Sequence, residues 1–142
     1  MHALRAQVLR EPVLSTSRAV TEYLFATMGY LPVEQIRVLY LDAANRLIAD
    51  ELVSHGSARE AVVPAREILR RAIAHNATAL ILAHNHPSGQ LEPSAADIAA
   101  TNRMARLGRD LGIGFHDHLL VARTGVVSFR GLGLIEGVPG GD

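Results

Sequence analysis

The sequence predicts an α/β chain of the α+β type, with one mixed sheet and helices packed on it. Three observations lead there. The length, 142 residues and 15.3 kDa, fits one domain that can bury a real core. Helical and strand-like periods follow one another as helix, hairpin, helix, strand, helix, strand, strand, with no internal repeat and no linker. Thr78 to Ala83, TALILA, is a short continuous apolar run between polar flanks, as in a central strand buried on both faces.

Each element has its own local reason. Residues 1–14 carry no clear period and are expected to be loosely held. Ser15-Thr16-Ser17 is a helix-start signal before Ala19, Val20, Tyr23, Leu24 and Met28, which recur at helical spacing, and Gly29 is a natural stop. Leu31-Pro32 breaks the chain. Glu34 to Asp42 and Arg46 to Ser54 read as two strands of a hairpin, joined by a turn at Ala43-Ala44-Asn45. After a loop at His55-Gly56-Ser57, Glu60 to Val63 reads as a short further strand. Pro64 suits the first turn of a helix, which continues from Arg66 to a C-cap at Asn76 with Ile68, Leu69, Ala72 and Ile73 inward. The loop HNHPSGQLEP follows the apolar strand, and Ser94 opens a long helix to about Leu111 with Ile98, Thr101, Met104 (or Ala105) and Leu107 or Gly108 inward. Gly112 and Gly114 close that helix. Phe115 to Ala122 and Val126 to Phe129 read as strands around a Thr124-Gly125 turn. The segment from Gly131 to Asp142 holds five glycines and Pro139 and is expected to fray. The domain is therefore placed at 15–135, between a flexible start at 1–14 and a flexible tail at 136–142.

Composition removes whole classes of function. No cysteine means no disulfide scaffold, no thiol nucleophile and no Cys-ligated metal. It also fits a reducing cytoplasm, the expected location. All fourteen basic residues are arginine, and fourteen acids balance them. Zero net charge and 4% aromatics leave neither the electrostatic footprint nor the stacking platform of a strong nucleic-acid binder. The longest apolar stretch is far too short to span a membrane.

The chemistry concentrates between His84 and Asp97. Two residues apart on an extended strand end, His84 and His86 point the same way, as a pair of metal ligands does. Asp97 lies three residues into the next helix, which can turn back and aim its carboxylate at the same point. Two imidazoles and one carboxylate leave a fourth tetrahedral position for water, the arrangement of catalytic zinc. Zinc lowers the pKa of such a water to about 7. A plainer reading stands beside this one. Ser94-Ala95-Ala96-Asp97 is a capping box, and both histidines could simply bond loop backbone.

These residues also carry a resemblance. His84-Asn85-His86, then Ser94 and Asp97, resembles the JAMM (MPN+) metalloprotease motif, and the wording HNHPSG after ILA resembles the RadC-like JAB domain in particular. Glu34 before IRVLYLD, Asn45-Arg46-Leu47-Ile48, Arg66-Glu67-Ile68, Asp117-His118-Leu119-Leu120-Val121 and Ser128-Phe129 extend the likeness over about residues 15 to 135. The resemblance implies a single MPN/JAB domain with one zinc ion on His84, His86 and Asp97. It implies that Ser94 helps stabilise the oxyanion and that Glu34 is the general base. The implied activity is a zinc metallopeptidase or isopeptidase acting on a peptide or protein substrate. Full-length RadC-type proteins carry an N-terminal helix-hairpin-helix region, which is expected to be absent because only about thirty residues precede Glu34. Pro64-Ala65 also departs from the His-Pro that often precedes Arg-Glu in the family.

Other features have bland readings. His116-Asp117-His118 is a second H-x-H, without an evident third ligand, and reads as strand residues bordering the cleft. Arg103, Arg106 and Arg109 form a basic stripe, read as a solvated helix face. Ser88 lacks the nucleophile-elbow context and reads as a loop residue. The competing function is an accessory or binding module in DNA metabolism with a structural or vestigial metal. A set containing a base favours hydrolysis, since a scaffold has no need of one. A metal phosphodiesterase is a third class, disfavoured by a mononuclear site with few nearby bases.

Overall fold

The computed structural model describes residues 17–55 and 63–137. Its elements are α1 (Ser17–Met28), β1 (Gln35–Leu41), β2 (Leu47–His55), α2 (Ala65–Ala74), β3 (Ala79–Asn85), α3 (Ala95–Asp110), β4 (Gly114–Ala122) and β5 (Gly125–Ser128). The expected order holds. The start at 1–14 and Ser15-Thr16 lie outside the described residues, as do residues 60–62 of the expected extra strand. Val63 itself is not in a strand.

The five strands form one mixed sheet in the order β2-β1-β3-β4-β5. β1 runs antiparallel to β2 and β3, β3 runs parallel to β4 across the α3 crossover, and β5 returns antiparallel to β4. Strand alternation divides the core. Ile36, Val38, Tyr40, Leu80, Leu82 and Leu120 meet α2 and α3 on one face, where Ile68, Ala72 and Met104 pack. Leu39, Leu41, Ile81, Ala83, Leu119 and Val121 meet Val20, Tyr23, Leu24 and Met28 of α1 on the other. All seven residues of β3 are buried, as the TALILA run predicts. The strand extends two residues further than the apolar run and so includes His84 and Asn85.

The junctions follow from local chemistry. Asp42 Oδ1 accepts from the backbone N–H groups of Ala44 and Arg46, both at 2.9 Å, and Asn45 takes φ 60° in the hairpin turn. Asn76, expected as the cap of α2, sits one residue beyond the cap His75 at φ 56°. There Asn76 N–H donates to Ile73 O at 3.0 Å and Ala77 N–H to Ala72 O at 2.9 Å, a Schellman closure. Ile73, expected inward, is 60% exposed, because the buried stripe of α2 is only Ile68, Leu69 and Ala72.

One feature adds to the sequence reading and one expectation changes. β4 carries a bulge: Phe115 stands opposite Leu80 and Asp117 opposite Ile81, leaving His116 as the extra residue. His116 consequently turns to Asn45 Oδ1 at 2.9 Å, while His118 turns under α3. The second H-x-H is therefore not a side-by-side pair. The expected fraying from Gly131 also fails for residues 131–136. Ile135 is buried, Asn102 Nδ2 donates to Leu134 O at 2.9 Å, and Asn102 Oδ1 accepts from Glu136 N–H at 2.7 Å. Residues 138–142 lie outside the described residues.

Asn102→Ala should lower unfolding stability by about 1–3 kcal/mol, the cost of stranding buried backbone groups. Urea titration checks it; an unchanged midpoint would show that the C-terminal segment is not held by Asn102.

Candidate metal centre

The site forms where three elements end together. β1 and β3 pair with Ile36 opposite His84. Continuing that antiparallel register by two residues sets Glu34, just before β1, opposite His86. Residues opposite one another share a face, so Glu34, His84 and His86 converge. After β3 the chain turns sharply: Gly89 adopts φ 89° and its N–H donates to His86 O at 3.0 Å. Arg123 donates to Pro87 O at 2.8 Å and Ser88 O at 3.3 Å, and Thr124 Oγ1 donates to Gly89 O at 2.7 Å. The β4–β5 turn thus holds this loop and delivers Ser94 to the head of α3. Ser88 Oγ accepts from Gln90 N–H at 3.3 Å, in keeping with a loop role.

Glu34 Oε2 bonds His84 Nε2 and lies 3.9 Å from His86 Nε2. Ligand atoms of Glu34, His84 and His86 all lie within 4.8 Å of one another, a spacing that one metal ion could bridge. The two rings are 4.9 Å apart, edge to face. Asp97 brings Oδ1 to 3.7 Å from His84 Nδ1 and Oδ2 to 3.9 Å from His86 Nε2. Its direction comes from the capping box. Ser94 Oγ accepts from Asp97 N–H at 3.0 Å, while Asp97 Oδ2 accepts from Ser94 N–H at 3.2 Å. The reciprocal bonds fold the carboxylate back over the helix start and onto the imidazoles. Capping and proximity to the imidazoles coexist in one residue.

The donor set fits a zinc-like cation. His86 Nδ1 lies 2.9 Å from Gln90 O, which can only accept, so Nδ1 is the donor and Nε2 is the nitrogen turned toward the cluster. Two carboxylates meet two imidazoles in a largely buried corner, and among the described residues no arginine bonds either carboxylate. Nitrogen and oxygen donors without thiolate suit a first-row divalent cation, zinc among them.

Behind His84 lies a part of the site that sequence reasoning placed only as cleft border. His118 is fully buried, with its ring 5.9 Å from that of His84 and stacked on Phe129 at 4.1 Å. His118 Nδ1 pairs with Thr101 Oγ1 at 2.6 Å. Burial, aided by the neighbouring histidines, pushes its pKa down to about 3, so it is neutral. The neighbouring Asp117 is raised by burial, and it accepts from Ser128 Oγ at 2.5 Å and from the N–H groups of His118 and Arg130. These bonds tie β4 to Ser128 at the end of β5 and to Arg130 just beyond it. Sequence reasoning also passed over Asn85. Its place between two histidines facing one way signals that it faces the other, and its amide meets the backbone beside Glu34.

The arginine stripe is partly spent. Arg106 pairs with Glu136 at 2.9 Å and Arg109 donates to Glu136 O at 3.3 Å, while Arg103 borders an open cleft of about 410 Å³ beside Arg66 and Arg70. No helix among the described residues is long and apolar enough to cross a membrane.

Residues 14–134 match the family profile described as RadC-like JAB domain. A UPF0758 protein of Rhodobacter capsulatus is 45% identical over 131 residues, covering 92% of this chain and 61% of the relative. A UPF0758 protein of Ruegeria pomeroyi is 43% identical over 131 residues, covering 92% of this chain and 58% of the relative. The chain thus spans about three fifths of the length of these relatives.

His118 has a thermodynamic consequence. Its pKa in the fold, about 3, is below the usual 6.5, so the unfolded chain binds the extra proton between those values. The stability it contributes is complete above pH 6.5 and drains away as pH falls toward 3. Between pH 7 and 5.5, metal-stripped wild type should lose about 1 kcal/mol more than His118→Gln. Parallel urea titrations giving equal losses would contradict a neutral buried His118.

Proposed function

The chain belongs to the RadC-like JAB domain family, and from that premise we propose that it is a zinc-dependent hydrolase, a metallopeptidase or isopeptidase acting through an activated water. The observation that carries this reading is Glu34. It comes from fifty residues before His84 and nevertheless reaches the imidazole cluster beside Asp97. Three ligands from His84, His86 and Asp97 would leave one tetrahedral position open to water, as catalytic sites do, with Glu34 beside it to act as the base.

In this reading His84, His86 and Asp97 hold the ion, which when bound supplies Lewis acidity to a water and to a substrate carbonyl. Glu34, on the longer and less constrained side chain, takes the proton of the attacking water and hands it to the leaving amine. Ser94 Oγ already accepts from Asp97 N–H, so its own hydrogen is free to donate to the carbonyl oxygen as charge develops there. The Gln90 carbonyl keeps His86 in the ligating tautomer. The substrate is a peptide or protein in the cytoplasm. The balanced charge and the partly engaged arginine stripe argue against tight nucleic-acid binding.

Purified protein should hold about one zinc per chain, and His84→Ala or His86→Ala should release most of it. Glu34→Gln should keep both fold and zinc while losing about 10²–10⁴-fold in turnover, since an amide cannot accept the proton. The checks are elemental analysis, melting temperature and hydrolysis of a peptide found by library screening with a chelator control. A fully active Glu34→Gln would remove Glu34 from the chemistry, and one that sheds zinc would make it a ligand.

Ser94→Ala should retain zinc, lose about 1 kcal/mol of stability from the missing cap, and lose about 10²–10³ in turnover. Wild-type rate in this variant would leave Ser94 as a cap only.

A further inference from the structure

We propose that Asn85 is the positioning residue of Glu34, a clasp that fixes the base from the backbone on either side of it. The inference rests on the reading of Glu34 as the base. The backbone ladder between β1 and β3 runs only as far as Ile36 opposite His84. Beyond that point β1 stays paired with β2 through Gln35 opposite His55, but its ladder with β3 has ended. The Asn85 side chain takes over: its Oδ1 accepts from Gln35 N–H at 2.6 Å, and its Nδ2 donates to Val33 O at 3.1 Å. These two groups bracket Glu34. An N–H can only donate and a carbonyl can only accept, so the orientation of the amide is fixed by its partners.

The clasp is itself rigid. Asn85 is 1% exposed, and its backbone lies within β3, paired to Val121 of β4. Strand alternation sends His84 to one face and Asn85 to the other. One dipeptide thus carries a cluster imidazole on one face and the hold on the base on the other. The residue type follows from the geometry. Aspartate can accept from Gln35 but cannot donate to Val33, and alanine can do neither.

The test uses Asn85→Ala and Asn85→Asp in the complete chain. Glu34 bonds His84 Nε2, so in protein treated with a chelator the ¹⁵N resonance of that nitrogen should report where the Glu34 side chain lies. It should move in Asn85→Ala toward its position in Glu34→Gln, and part of the way in Asn85→Asp. Zinc content should stay at the wild-type level in both. On the screened peptide, kcat should fall at least about tenfold with KM unchanged, as expected when a reacting group is misplaced. Adding Asn85→Ala to Glu34→Gln should cause no further loss. An unmoved His84 signal, or an equal further loss in the double variant, would overturn the proposal. If Asn85→Ala does not fold, Asn85→Asp alone decides, and a wild-type signal with wild-type kcat there overturns it as well. Should wild type hold zinc and cleave nothing, the hydrolase reading fails while the His84 resonance still decides whether Asn85 holds Glu34.

Discussion

The molecule depends on one strand buried on both faces. β3 has no solvent side, so each polar group near its end must find a partner within the protein or a ligand. His84 finds Glu34, Asn85 finds the backbone around Glu34, and His86, just past the strand, finds the Gln90 carbonyl. The partners come from β1 on one side and from the loop to α3 on the other. The requirement to satisfy two buried polar residues and the half-buried His86 therefore gathers elements that are distant in sequence. The same strand anchors both apolar clusters, so misplacing it disturbs core and site alike.

The capping box shows how a stability device and a chemical group share atoms. A helix start leaves backbone N–H groups without partners, and a Ser with an acid three residues later satisfies two of them reciprocally. In α3 this constraint also sets the carboxylate of Asp97 near both imidazoles. An acid free to rotate would lose side-chain entropy on binding an ion; Asp97 has lost it on folding.

Much of this was legible in the sequence, for identifiable reasons. TALILA, the Ser94–Asp97 box and the His84–His86 spacing are local patterns, and local patterns carry local physics. Glu34 is different. Spacing could not select it among fourteen acids, because its place is set by the β1–β3 register, and only the family resemblance pointed to it. The bulge at His116 has no local marker such as glycine, so the sequence does not show that His116 and His118 turn to different partners. Ile73 was counted inward because an apolar residue at helical spacing says nothing about how wide a stripe the sheet covers. The segment after Gly131 looked loose by composition, yet one asparagine on α3 bonds its backbone, and composition does not record such bonds.

The two halves of the site differ in the chain length that separates them. His84, His86 and Asp97 lie within one short stretch, whereas Glu34 must return across fifty residues. Closing the longer span costs about 1 kcal/mol more in chain entropy, and it waits on the β1–β3 pairing. The stretch from His84 to Asp97 is held together by neighbours in sequence, whereas Glu34 depends on the β1–β3 pairing, so a break in that pairing parts Glu34 from the imidazoles and leaves His84, His86 and Asp97 side by side.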